Sequence, residues 1–282
     1  MIHLLVMLSL LSGGSTKVVE NFQTECGESF YNKVPPTVLN GPQYRQICQT
    51  RNNKPYYATL YDTNNKIPVY SAYNYTGKVM CDRQSNWYIE PQLEDIKEKI
   101  NMGPKGKLAL NNQASNEDYK TESNILHRGH LAPVYHAASK KCSDATFTLT
   151  NAAPQYSSFN QGQWKKVEQD MASIAKERCS TANIVTGVVA GNFINTPLIN
   201  NRVRVPSHFW TAYCCKNKTN ILISGGVIGI NSNDNLTPCQ KPVKDLELEL
   251  KYLYNVQSFR LFDNNCRDAD YVEITNRKRP RD

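Results

Sequence analysis

The sequence predicts an α+β fold with a mixed β-sheet core, and three observations predict it. Short aromatic and β-branched runs recur along the chain, as strands require. Two longer segments carry apolar residues at helical spacing. Hydrophobic residues make up 40% and charged residues 21% of 282, with 14 Gly and 14 Pro, which excludes disordered and collagen-like chains. That length suits one large domain or two small ones, and no internal repeat is visible.

The apolar run Ile2–Leu11, followed by small residues from Ser12 to Thr16, reads as a secretory signal peptide over 1–16. No Lys or Arg precedes the run, and a buried N-terminal strand is the other reading. The run falls short of the roughly 20 residues that span a bilayer, and no later segment is long and apolar enough, so stable membrane insertion is not expected. Residues 17–55 are polar and rich in Asn, Gln and Pro, an irregular lead-in tied by disulfides. Tyr56–Tyr61 and Ile67–Tyr73, separated by Asp62-Thr63-Asn64-Asn65, predict a hairpin that opens the main domain, 56–262.

Leu93, Ile96 and Ile100 predict a short surface helix over 91–100, and 101–123 a loop. Ala145–Thr150 predicts a short strand. Trp164, Val167, Met171 and Ile174 form one apolar stripe on an amphipathic helix over 160–179. Strands follow at 183–190, 209–214 and 221–230. Val243, Leu246, Leu250 and Leu253 favour a helix, although 246–250 also alternates like a strand. Residues 263–282 form a basic tail, with Arg277, Lys278, Arg279 and Arg281 either a solvated terminus or a nucleic-acid arm.

A net charge of +8 favours a polyanionic partner. Nine scattered cysteines without a CxxC pair predict a disulfide framework and export, and their odd number leaves at least one thiol outside it. Sequons at Asn74, Asn217 and Asn235 fit a secreted glycoprotein.

Four histidines follow the leader: His127, His130, His136 and His208. Three lie within ten residues, yet HExxH and zinc-type ligand spacing are absent. Phosphodiester hydrolysis needs a base, a cation and a positioner. His130 titrates in the right range to be the base, and Arg128 can hold a phosphate by paired hydrogen bonds. Asn160 offers an amide oxygen and Glu168 a carboxylate, which suits Mg²⁺ that keeps most of its waters. On an ideal helix the two lie roughly 80° and about 12 Å apart, so they cannot both touch one ion. An N-cap with a surface acid is the other reading of that pair.

The segments HRGHLAP (127–133), TLTNAAPQ (148–155) and FNQGQWKKVE (159–168) resemble, in order and spacing, the DNA/RNA non-specific endonucleases of the ββα-metal (His-Me finger) class. The secreted, cysteine-rich context is most similar to the endonuclease domain-containing 1 branch. The resemblance implies a ββα-metal motif on the α+β core, a sugar-non-specific endonuclease acting on DNA and RNA, and 5′-phosphate ends. It implies His130 as general base, Asn160 as the direct ligand of Mg²⁺ or Mn²⁺, and Glu168 as the residue orienting a metal-bound water. It also implies Arg128 supporting the phosphate, Asn151 shaping the site and binding substrate, and Arg83 clamping substrate phosphate, with a plain surface charge the other reading of Arg83.

Two departures bear on activity. The acid that leads the family's DRGH is His127 here, and position 172, where some members carry Arg, is Ala172. A catalytically weak homologue that binds nucleic acid or another polyanion is therefore the rival reading. His136 is expected as a polar loop residue and His208 as half-buried. Arg202 and Arg204, alternating with Val203 and Val205, are expected on the solvated side of a hairpin, with nucleic-acid contact as the alternative.

Overall fold

A computed structural model describes residues 18–120, 123–191 and 197–274. The expected leader over 1–16 and the basic run from Arg277 lie outside them. The strands are β1 (Val18–Val19), β2 (Tyr44–Arg51), β3 (Lys54–Asp62), β4 (Ile67–Tyr75), β5 (Leu126–His130), β6 (Ala152–Tyr156) and β7 (Cys179–Val189). They continue as β8 (Leu198–Ile199), β9 (Val203–Arg204), β10 (His208–Asn217), β11 (Leu222–Ile230), β12 (Cys239–Lys241) and β13 (Asp270–Tyr271). The helices are α1 (Phe22–Cys26), α2 (Lys140–Ala145), α3 (Ser157–Phe159), α4 (Lys165–Arg178), α5 (Val243–Leu253) and α6 (Asn264–Arg267).

One large sheet runs in the order β1-β2-β3-β4-β7-β10-β11-β12, antiparallel throughout, and β13 adds to β11 in parallel. Alternation along its strands sends side chains to two buried faces. Tyr57, Tyr73, Ile184, Phe209 and Tyr213 meet Trp164, Val167, Met171 and Ile174 from the α4 region. Ala58, Tyr70, Val185, Trp210 and Ala212 meet Val243, Leu246 and Leu250 of α5. The ambiguous 246–250 segment is therefore helix, because its apolar residues at 3.6-residue spacing have a sheet face to cover.

The same alternation sorts the cysteines. Cys214 and Cys215 are adjacent on β10 and point to opposite faces, so they take different partners, Cys266 and Cys179. Cys26–Cys48 ties α1 to β2. Cys81, Cys142 and Cys239 carry free thiols.

Several elements differ from expectation. The lead-in is not irregular throughout, since Tyr44–Arg51 pairs with β3 as a full strand of the sheet. The helix expected over 91–100 is a single 3₁₀ turn, Pro91–Leu93. Leu93 is buried but Ile96 is 61% exposed, so no continuous apolar face supports further turns. Glu94 instead accepts the N–H groups of Asn111 and Asn112. The strand expected over 145–150 is divided between the end of α2 and a 3₁₀ turn, Leu149–Asn151. Between them the run makes one isolated parallel bridge, Thr148 with Tyr88, while Asn151 Nδ2 takes the Thr146 carbonyl.

Arg202 and Arg204 are not on a solvated face. Arg202 pairs with the fully buried Asp118 at 2.8 Å, and buried Arg204 donates to Asn65 Oδ1 at 3.3 Å. Residues 264–274 are likewise packed rather than tail-like. Cys266 is bonded to Cys214, and Arg267 donates to the buried Glu247 carboxylate at 3.0 Å, which also accepts from Arg260.

Candidate active site

β5 and β6 form a separate antiparallel pair, with His130 opposite Ala152 and His127 opposite Gln155. The chain then enters α3, a widened π-type turn at Asn160–Trp164, and α4. The sequence therefore folds locally as two strands and a helix around one cleft of about 390 Å³. Arg83, Trp87, His127, Arg128, His130, Asn160, Lys165 and Glu168 all line it.

The segment between Asn160 and Glu168 is not one ideal helix, since a widened π-type turn precedes α4. Both residues line the one cleft. Gly162, at φ −97° and ψ −108°, is the non-helical residue within the turn.

Gly129 sets how closely the strands approach the turn. A Cβ there would stand 2.3 Å from Gln155 Oε1, so no larger residue leaves Gln155 in place. Gln155 Oε1 in turn accepts from Asn160 Nδ2 at 2.6 Å. That bond leaves the Asn160 amide oxygen on the other side of the amide, where it accepts from the exposed Gln161 Nε2 at 3.2 Å.

His130 is buried in an aromatic wall, its ring 4.8 Å from Trp87 and 5.0 Å from Phe147. Burial, then the charges of Arg83 and Arg128, lower its pKa to about 3. The imidazole is thus neutral near pH 7, and its Nε2 makes no hydrogen bond among the described residues. Arg128 lies over the rings of Tyr119 and Trp87, at 5.0 and 5.4 Å, and donates to Asn116. Arg83 is exposed at the rim, 5.3 Å from the Phe147 ring. Burial raises Glu168 to about 8, against the opposing pull of Arg83 and Lys165.

Two residues have roles other than expected. Asn151 is fully buried and does not face the cleft. Its Oδ1 accepts from the Ala132 N–H and the Ser71 hydroxyl, and its Nδ2 donates to the Ala132 and Thr146 carbonyls. All its capacity is used inside the protein, so it positions the chain after His130 and does not contact substrate. His136 is not a polar loop residue but buried, with Nδ1 2.7 Å from Tyr73 Oη and Nε2 2.8 Å from the Glu168 carbonyl. It joins the segment carrying His130 to the helix carrying Glu168. Its place six residues after His130 is the one sequence hint of that role, together with Gln155 inside its motif. His208 is half-buried, as expected.

The donor set is an amide oxygen, an unpartnered imidazole nitrogen and the Glu168 carboxyl. Burial keeps that carboxyl largely protonated near pH 7, and a nearby cation would ionise it. The set fits a hydrated hard cation and not a zinc centre. Among the described residues no group of three His, Cys, Asp or Glu could hold a metal.

A profile of the DNA/RNA non-specific endonuclease family matches residues 37–258. The chain is 30% identical to the Homo sapiens endonuclease domain-containing 1 protein, over 95% of this chain and 52% of that protein. It is 32% identical to Homo sapiens mitochondrial endonuclease G over 35% of each chain. It is also 32% identical to the salivary endonuclease of Lutzomyia longipalpis, over 33% of this chain and 25% of that one. The chain thus spans about half the length of the first relative and less of the others. A chain in the crystal structure of the EndoG/EndoGI complex superposes with TM-score 0.55 at 21% identity, covering 77% of this chain and 85% of that one. That likeness concerns the fold, which is α+β.

Asn151→Ala is expected to lower unfolding stability by about 3 kcal/mol or more, because four buried polar groups lose their partner. Urea denaturation of the purified variant measures this, and a loss under about 1 kcal/mol would contradict the positioning role.

Proposed function

The chain belongs to the DNA/RNA non-specific endonuclease family, and from that premise we propose that it is a secreted, metal-dependent endonuclease cutting DNA and RNA. The observation that carries this reading is a neutral, unpartnered His130 in one cleft with Asn160, Glu168 and three cations. Three disulfides support an oxidising compartment, and two sequon asparagines, Asn74 and Asn235, are exposed. Among the described residues no helix is long and apolar enough to cross a membrane.

His130 accepts the proton of the attacking water. Its intrinsic basicity is low because it is buried and, after that, because Arg83 and Arg128 stand beside it. A bound phosphodiester offsets the arginine charges, so substrate relieves that part of the shift. Arg128, Arg83 and Lys165 hold the scissile and flanking phosphates, and contacts to phosphate rather than base edges give little sequence preference. Asn160 Oδ1 would hold Mg²⁺ or Mn²⁺, with Glu168 engaging it through water, and the cation would supply positive charge beside the phosphate and leaving oxygen. Departure of the 3′-oxygen leaves a 5′-phosphate.

His130→Ala is expected to slow single-turnover cleavage by at least about 10²-fold while DNA affinity is retained. Asn160→Ala is expected to remove the response of cleavage to added Mg²⁺. Wild-type rates in either purified variant would take that residue out of the mechanism. A third variant addresses the departure at His127, which lies on the cleft wall three residues before the base. An acid there offsets the two arginines, so His127→Asp should raise His130 basicity and speed cleavage near neutral pH. An unchanged pH–rate profile would make position 127 a packing position only.

A further inference from the structure

The three disulfides leave Cys81 and Cys142 as half-buried thiols in two segments that run side by side. Cys81 lies in the stretch between β4 and Tyr88, which has no regular secondary structure and exposes Val79 and Met80. Cys142 lies in the first turn of α2, where its N–H is capped by Ser139.

Hydrogen bonds at both ends fix the register of the two segments. The Val79 N–H donates to the Ala137 carbonyl at 2.9 Å, and Gln84 Nε2 donates to the Asp144 carbonyl at 3.0 Å. The Tyr88 N–H then donates to the Phe147 carbonyl at 2.8 Å. This parallel course places Cys81 opposite the start of α2. Side chains on a helix tilt toward its N-terminus, which carries the Cys142 side chain back toward the Ser139 cap, two residues past that first rung. The Cys142 sulfur is thus turned toward the rung at Ala137, two residues along from which Cys81 sits.

We propose that Cys81 and Cys142 form a fourth disulfide, which fastens the segment carrying Arg83 to the start of α2. The oxidant is a small-molecule disulfide such as oxidised glutathione. One thiolate attacks it, forming a mixed disulfide and releasing one glutathione. The second thiolate then attacks the protein-side sulfur and releases the other, so two thiols lose two protons and two electrons in all. Arg83 lies two residues beyond the link, which therefore limits how far that arginine can swing from the cleft. The bond itself does not rest on the nuclease reading; only its consequence for cleavage does.

Tryptic mapping of the full chain, expressed through an oxidising secretory route and alkylated before digestion without reduction, tests the link. The expected product is the peptide Val79–Arg83 joined to Cys142–Lys165. Recovery of both peptides separately, each alkylated, would overturn the proposal. Native trypsin digestion supplies the second measurement, since Lys78 and Arg83 are cleavage sites inside the tethered segment. Cleavage there should be at least about threefold faster in a C81S/C142S variant, as expected for a freed local segment. Equal rates in an otherwise folded variant would overturn the fastening role. Both readouts are independent of cleavage activity, so an inactive protein with the linked peptide would refute the nuclease reading and leave this one standing.

Discussion

The Asn151 amide is the point at which the large sheet and the cleft are joined. Ser71 on β4 donates to it, and Ser71 is itself paired with Thr59 on β3 at 2.8 Å. From the other side the amide grips both backbone groups of Ala132, two residues past His130, and the Thr146 carbonyl just past α2. In a dry interior such a chain of bonds is strong while complete and costly when broken. The β5–β6 pair lies outside the large sheet and shares no ladder with it. Its placement over the sheet therefore depends on this polar link, on Asn231 just past β11, which accepts from the Tyr156 N–H and donates to the Pro154 carbonyl, and on apolar packing.

Two further contacts carry that placement across to the helix. Gly129 lets Gln155 lie against β5, and Gln155 holds the Asn160 amide. His136 spans from Tyr73 on β4 to the Glu168 carbonyl on α4. Each is a short link from the sheet or the strand pair to one residue of the cleft. Asn160, in the widened turn, and Glu168, in α4, both line that cleft. The residues of the cleft are held from behind by neutral polar bonds, while Arg83, Arg128 and Lys165 face the opening. That division leaves the cationic groups at the opening, while burial, with Arg83 and Arg128 beside it, keeps His130 deprotonated.

Much of this was legible in the residues. The 56–73 hairpin, the strands at 183–190, 209–214 and 221–230, and the stripe from Trp164 to Ile174 follow from periodicity, because each faces a continuous apolar surface. Local pattern misled where tertiary contacts decide. Ile96 had helical spacing but nothing to pack on, and the 145–150 run meets only Tyr88, in a single parallel bridge, between α2 and a 3₁₀ turn. Arg202 and Arg204 looked like an exposed face because their partners, Asp118 and Asn65, are far away in the chain. His130, Arg128, Asn160 and Glu168 were found through motif resemblance, and the structure brings them to one cleft. Spacing on an ideal helix argued against the last two, since a π-type turn cannot be read from helical periodicity. Asn151 is in the motif that the resemblance rests on, yet it lies behind the cleft and not on it, a distinction that only burial makes.

The central claim is that this cleft hydrolyses phosphodiesters with the aid of a divalent cation. Incubation of the purified full chain with supercoiled plasmid, in Mg²⁺ and in excess chelator, tests it most directly. The account predicts nicked and then linear DNA with Mg²⁺, ends that carry 5′-phosphate, and intact plasmid with chelator. Plasmid that stays supercoiled under Mg²⁺ and under Mn²⁺, while the protein retains it on a gel, would contradict the account and identify a binding protein instead.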